Sequence, residues 1–287
     1  MTQPNLPTNK IKKPVKQAVA HPAFERLARL GYAAKGVVYF VVGFLAAQVA
    51  IGVGGRITDI SGAFLAIVSQ PFGKFLLGFL SFGIVGYVLW RLVQTIFDPE
   101  NSDQPMNAKR FIKRFGYAFN ALAYASIALT AVQIIIDADD INRNSTEDWT
   151  ARLLAQPFGQ WLVGLVGAIA IGVGIYYLYE AYKGKFRRQF KLHEMTAIEQ
   201  TWAMRIGRFG IASRGVVFGI IGIFFIQAAR LSNANKARGL GEALAILAQQ
   251  PFGALILGLV ASGLIAYGIH SMVEARYRKI TNSNVRI

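Results

Sequence analysis

Long stretches of this chain carry almost no charge, and that limits its fold more than any other feature. Residues 36–55, 115–136, 153–179 and 243–273 contain no Asp, Glu, Lys or Arg; 75–90 is equally free, and 209–229 holds Arg214 alone. A helix rises about 1.5 Å per residue, so about 20 residues cross a hydrocarbon core of about 30 Å. The windows predict six spans, over residues 32–53, 74–97, 115–136, 158–181, 208–229 and 252–274. None alternates apolar and polar residues as the strands of a closed barrel do, so the fold class is all-α. With 54% hydrophobic and 16% charged residues, a polytopic membrane protein fits and an ordinary soluble domain does not.

The net charge of +16 is unevenly placed. Residues 1–34, 91–114, 180–208 and 271–287 hold 22 Lys/Arg against 8 Asp/Glu, whereas the opposite loops hold 7 of each. Basic flanks stay cytoplasmic, which predicts both termini inside and an affinity of that face for anionic head groups. A bacterial inner membrane, or another energised one, is the expected location. No stripe of bases interleaved with stacking aromatics points to nucleic acid. Residues 1–23, polar and rich in Pro and Lys, read as a disordered basic tail without the apolar core of a signal peptide. Cysteine is absent, which removes disulfides and thiolate ligands.

The four letters QPFG occur at 70–73, 156–159 and 250–253, and much else repeats with them. Glycine lies 40 or 41 residues before each proline (Gly31, Gly116, Gly210), with an arginine two residues earlier (Arg29, Arg114, Arg208). Four residues after those glycines come Lys35, Asn120 and Arg214; seventeen after come Gln48, Gln133 and Gln227. Gln94, Glu180 and Glu274 lie 21 residues after the QPFG glycines. The pattern predicts three hairpin repeats, each of two spans and all in one orientation, related by a pseudo-threefold axis along the membrane normal. The units are hairpins at 24–97, 109–182 and 203–280, a linker at 98–108, an amphipathic surface helix in the cytoplasmic linker at 183–202, extending to about 207, and a tail at 281–287. The stretch AFERLARLG at 23–31 reads as a second surface helix.

RLGYAAKGVVY at 29–39, WTARLLAQPFGQWLVGLVG at 149–167, GIASRGVVFGIIG at 210–222 and VEARYRKI at 273–280 resemble the bacterial family of domain of unknown function 1206. In that family a two-span domain occurs three times in one integral membrane protein. The resemblance implies fold and location and transfers no functional residue. The second copy departs from it at Asn120, the third at Ile211.

Ionisable residues inside spans are costly and are candidate sites. Lys35 and Arg214 lie one turn inside the odd spans, with Asn120 at the third equivalent position and Glu180 and Glu274 near the ends of even spans. Snorkelling bases in a ring of interfacial ion pairs, closing adjacent hairpins, are favoured over an ion path. Gln48, Gln133 and Gln227 form a candidate polar ring near the outer surface, serving helix contact or lining a solute path. His270 aligns with Trp90 and Tyr176 and reads as part of an interfacial aromatic belt. No histidine spacing suggests zinc or haem, and neither a catalytic grouping nor a cofactor motif is seen. The acids of DADDINRNSTEDW read as a solvated loop.

Each QPFG element follows a short apolar stretch read as a half-helix on the outer interface. Gln70, Gln156 and Gln250 would cap; Pro71, Pro157 and Pro251 would sit in the first turn of the inward span. Phe72, Phe158 and Phe252 would anchor, while Gly73, Gly159 and Gly253 allow a close bend. The expected function is a non-enzymatic structural or accessory membrane component. The alternative is a transporter or channel for a small solute or ion through the repeat-symmetric interior.

Overall fold

The computed structural model describes residues 22–97, 107–136 and 145–280, in which nine α-helices are the regular elements. The tail through residue 21, most of the 98–108 linker, residues 137–144 of the acidic loop and the tail from 281 lie outside the described residues. The first hairpin comprises α1 Pro22–Ala50, the short α2 Ile60–Val68 and α3 Gly73–Phe97; the second, α4 Ala108–Ile136, α5 Ser145–Leu154 and α6 Gly159–Lys183. The third comprises α7 Ala197–Leu231, α8 Leu240–Ala248 and α9 Gly253–Tyr277. The six long helices are apolar enough to cross a membrane. Six transmembrane helices thus form three parallel hairpins.

The helices pack in the order α4, α3, α1, α9, α7, α6, so the third hairpin meets the first through α9 and α1. Three of these contacts join an odd span to the even span of the preceding repeat: α1 on α9, α4 on α3, α7 on α6. Two of the three are built on glycine. A methyl group at Gly36 would lie 2.8 Å from the Gly268 carbonyl oxygen, and one at Gly268 2.7 Å from that of Gly36. Gly215 and Gly174 repeat the arrangement at 2.9 and 2.7 Å, and Gly222 and Gly167 at 2.7 and 2.8 Å. Backbones this close gain dispersion and weak Cα–H···O contacts, which drive association where lipid removes the hydrophobic incentive. The second repeat has Ala121 and Ala128 at the odd-span positions, and α3 has Val88 and Ser81 at the even-span ones, so the α4–α3 contact has no glycine at these places.

Within a hairpin, Gly31 lies under the backbone of Tyr87, and Gly210 under that of Tyr267. The second hairpin lacks this lock. Val173 replaces the tyrosine, an added methyl at Gly116 or Gly172 would have no neighbour within 4 Å, and α4 barely touches α6.

Two expected surface helices are absent. AFERLARLG is the opening of α1 itself, because no residue there interrupts the helix. The 183–207 segment is broken: Gly184 at φ 63° ends α6, short 3₁₀ turns follow at Lys185–Gln189 and Leu192–Glu194, and Phe190 bridges to Arg278. Helix resumes at a capping box of Thr196 and Glu199, so residues 197–207 belong to α7. Buried Phe186 and Phe190 fold this segment under the bundle end. Glu147 and Asp148 stand in the first turn of α5, where the helix dipole favours acids, and not in a loop.

QPFG is a tight turn at the end of α2, α5 and α8. The Gly73 amide donates to the Gln70 carbonyl at 2.8 Å, and that of Gly159 to Gln156 at 2.9 Å. Proline second and positive φ third define a type II turn. The third residue is the phenylalanine, with φ of 61°, 63° and 59° at Phe72, Phe158 and Phe252. The prolines therefore stand before the launching helix and not in its first turn. The Gln70 and Gln250 side chains donate back to Ala66 and Ile246 carbonyls of the short helices. Glycine is required by space: an added methyl at Gly73, Gly159 or Gly253 would come 2.3, 2.1 or 2.0 Å from a carbonyl oxygen of the short helix.

Candidate functional site

Bases inside the bundle do not snorkel; they turn inward onto tyrosines. Lys35, 2% exposed, donates to Glu274 Oε2 at 3.1 Å and to the Tyr267 hydroxyl at 3.2 Å. Its ammonium also faces the rings of Tyr32, Tyr87 and Tyr267 at 5.0, 5.3 and 5.1 Å. Glu274 accepts from Arg278 as well, one turn on. The sequence places Lys35 and Glu274 in the first and last hairpins, and the α9–α1 contact brings them together.

Arg214 takes a different course. Its Nη1 donates to the same Tyr267 hydroxyl that Lys35 engages. The guanidinium lies against four rings: Tyr267 at 4.6 Å, Tyr39 and Tyr177 at 5.1 Å, and Phe218 at 5.3 Å. Such contacts are worth about 0.5–2 kcal/mol each. No carboxylate among the described residues pairs with this base, and its Nε hydrogen has no acceptor.

A third base joins by shared rings. Arg91 donates to the Tyr87 hydroxyl at 2.8 and 2.6 Å and to Gln94 Oε1 at 2.8 Å, and lies 5.2 Å from the Tyr117 ring. Tyr87 packs on Tyr124 of α4 at 4.6 Å between centroids. Tyr32, Tyr39, Tyr87, Tyr124, Tyr177 and Tyr267 thus link Lys35, Arg91 and Arg214 into one cluster whose buried carboxylate is Glu274. What this arrangement offers chemically is hydrogen-bond donors and positive charge.

The predicted ring of ion pairs is reduced to Lys35–Glu274. Asn120 is half-buried with an unpartnered Oδ1. Glu180 is half-buried, with Glu274, Arg278, Arg91 and Lys113 as electrostatic neighbours, and does not pair with Arg214. The candidate glutamine ring does not share this centre: Gln133 and Gln227 are exposed and Gln48 is half-buried. Thirteen residues separate each glutamine from the inward position below it, which turns it about 140° around the helix. His270 and Trp90 are not belt residues. His270 is 4% exposed, its ring 5.1 Å from Phe186, while Trp90 is fully buried and donates to Tyr32; of the three aligned positions only Tyr176 is exposed.

Sequence reasoning missed the role of the repeat arginines. Arg29 donates to the Ala275, Arg276 and Arg278 carbonyls at the end of α9, and Arg114 to the Thr95 and Ile96 carbonyls at the end of α3. Each caps the even span of the preceding repeat, where the helix dipole favours a cation. Their shared spacing two residues before the repeat glycine was the available signal. Tyr87 and Tyr267, each fourteen residues after a QPFG glycine, were a second.

A model of the family described as Domain of Unknown Function (DUF1206) matches three times, over residues 30–98, 115–184 and 209–278. The chain is also similar to an uncharacterized protein, YxxB, of Bacillus subtilis (strain 168), with 37% identity over 274 residues, covering 95% of this chain and 96% of that one. No solved structure matches.

Proposed function

This chain belongs to the DUF1206 family, and from that premise we propose that it is a non-enzymatic structural or accessory component of a bacterial inner membrane. The supporting observation is what the repeated positions do. Arg29 and Arg114 cap the preceding hairpin, Gly31 and Gly210 lock tyrosine backbones, the QPFG glycines seat the turns, and Lys35 clasps Glu274 across the first and last hairpins. Positions shared by the copies are spent on assembly. Both termini lie in the cytoplasm, with the basic face, Arg26, Arg114, Arg187 and Lys279 among its residues, against anionic head groups. A membrane-protein partner would meet the same face.

A second reading, passage of a small solute or ion, is favoured by one observation: Arg214 lies buried without a paired carboxylate among the described residues. Flux into liposomes decides between the two. The structural reading expects the reconstituted protein to pass no more solute than protein-free vesicles. Flux that falls in Lys35→Ala and Arg214→Ala would sink it. Topology is checked separately with single cysteines labelled by a membrane-impermeant maleimide, since the chain has no cysteine of its own.

The clasp itself makes a prediction. Removing one partner of a buried pair typically costs about 3–5 kcal/mol, while a well-packed apolar replacement of both is tolerated. Glu274 holds Arg278 as well as Lys35, so Lys35→Met leaves a paired carboxylate whereas Glu274→Leu takes it from both bases. Glu274→Leu is therefore expected to lower the midpoint of thermal unfolding more than Lys35→Met, and Lys35→Met added to Glu274→Leu to recover part of that loss. Equal loss in Glu274→Leu and in the double variant would show that Lys35 and Glu274 do not act as a pair.

A further inference from the structure

We propose that the buried cluster around Arg214 is a binding site for one oxyanion, a phosphate or carboxylate group, which enters between α4 and α6. Charge is the first support. Lys35 and Arg214 share the hydroxyl of Tyr267, and Glu274, the buried carboxylate nearby, is already taken by Lys35 and Arg278. Arg214 is 4% exposed and has aromatic faces around it and no paired carboxylate among the described residues. An ion removed from water in this way is poorly compensated unless a counter-charge completes the site.

Free donors are the second support. Nη1 of Arg214 is committed to Tyr267, which leaves the Nε edge, and Nε has no acceptor. That edge of the planar guanidinium fits two oxygens of a carboxylate or phosphate. The hydroxyl of Tyr124, 4% exposed, is also unpartnered, and its electrostatic neighbours include Arg214, Tyr39, Tyr87 and Tyr267. Asn120, one turn earlier on α4, leaves its Oδ1 unpartnered; with its amide reversed it presents NH₂ instead.

Access is the third. The two hairpins that carry a glycine–tyrosine lock are closed, and the second is open: Gly116 and Gly172 have nothing within 4 Å of an added methyl. Tyr117 and Lys113 of α4 and Arg91 of α3 are electrostatic neighbours of Tyr176 on α6, so bases stand on the side where α4 and α6 barely touch. Glu180 stands at the same entrance. A phosphate bound here can belong to a lipid head group or be free, since both present the same oxygens to the guanidinium.

The test is thermal unfolding of the full chain by tryptophan fluorescence. One arm titrates inorganic phosphate or acetate against chloride at constant ionic strength in neutral detergent. The other compares nanodiscs of phosphatidylcholine with nanodiscs containing phosphatidylglycerol. A saturable rise of the midpoint is expected in at least one arm; a rise with free phosphate identifies a soluble anion, and one confined to phosphatidylglycerol a head group. Arg214→Gln should abolish the rise, Tyr124→Phe should weaken apparent affinity about tenfold, and exposed Arg205→Gln should leave it intact. If Arg214→Gln does not fold, Tyr124→Phe and Arg214→Lys carry the test, both with weakened binding. No rise in either arm, or the same rise in these variants as in the wild type, overturns the proposal.

Discussion

Phenylalanine in a left-handed backbone is the residue-scale feature that most needs a cause. Phe72, Phe158 and Phe252 hold φ near 60° and are 85%, 79% and 83% exposed, so neither backbone preference nor packing inside the bundle accounts for them. A non-glycine residue there costs about 1–2 kcal/mol. A phenyl ring transferred from water into the interfacial region returns about 1.5–3 kcal/mol, enough to hold the strain. The two contributions separate by mutation. Phe252→Ala keeps the strain and loses the ring, whereas Phe252→Gly loses both. In detergent Phe252→Gly should be more stable than Phe252→Ala by about 1 kcal/mol, measured by thermal unfolding. Alanine equal to glycine would mean the turn is unstrained. The composition of the motif implied a bend at its glycine with proline in the next helix's first turn; the positive φ falls on phenylalanine instead, while carbonyls of the preceding short helix leave no room for a Cβ at the glycine.

Between elements, glycine separates firm seams from loose ones. Gly174 and Gly172 are two residues apart on α6 and have opposite surroundings: an added methyl at Gly174 lies 2.7 Å from the Gly215 carbonyl oxygen, while one at Gly172 meets nothing. Gly174→Ala must push α7 away and is expected to cost about 2 kcal/mol. Gly172→Ala only gains helix propensity and should stabilise by up to about 1 kcal/mol. Unfolding midpoints of the pair check this, and the same sign for both would remove the close seam. By repeat position the seams match Lys35 to Glu274, Asn120 to Gln94 and Arg214 to Glu180, base to acid and neutral to neutral, but among the described residues only Lys35 and Glu274 form the ion pair. Within repeats only Arg214 and Glu274 match, since Lys35 would answer to Gln94 and Asn120 to Glu180.

Taken as a whole, the molecule is a threefold design with one seam altered. An added Cβ at Gly258 lies 3.6 Å from that of Ala50, and one at Gly164 lies 3.6 Å from that of Ala229, while Gly78 at the equivalent place has no neighbour within 4 Å. Disulfides form at Cβ separations of about 3.5–4.5 Å. In this cysteine-free chain, Ala50→Cys/Gly258→Cys and Gly164→Cys/Ala229→Cys should cross-link on oxidation. Gly78→Cys/Ile135→Cys should not. Peptide mapping by mass spectrometry reads all three, and equal yields would restore full symmetry.

The sequence by itself determined six apolar helices, three hairpins in one orientation, the turns between their spans and the residues that each copy shares. Those follow from local causes: hydrocarbon thickness, periodicity and the chemistry of Pro and Gly. Only the tertiary structure decided that the repeats interlock with their neighbours, that Lys35 reaches Glu274 across the chain, that Arg214 turns to Tyr267 and not to Glu180, and that the second hairpin stands open. Those outcomes depend on which backbones can approach, and a glycine's value at a helix seam is set by the atoms across it, far away along the chain.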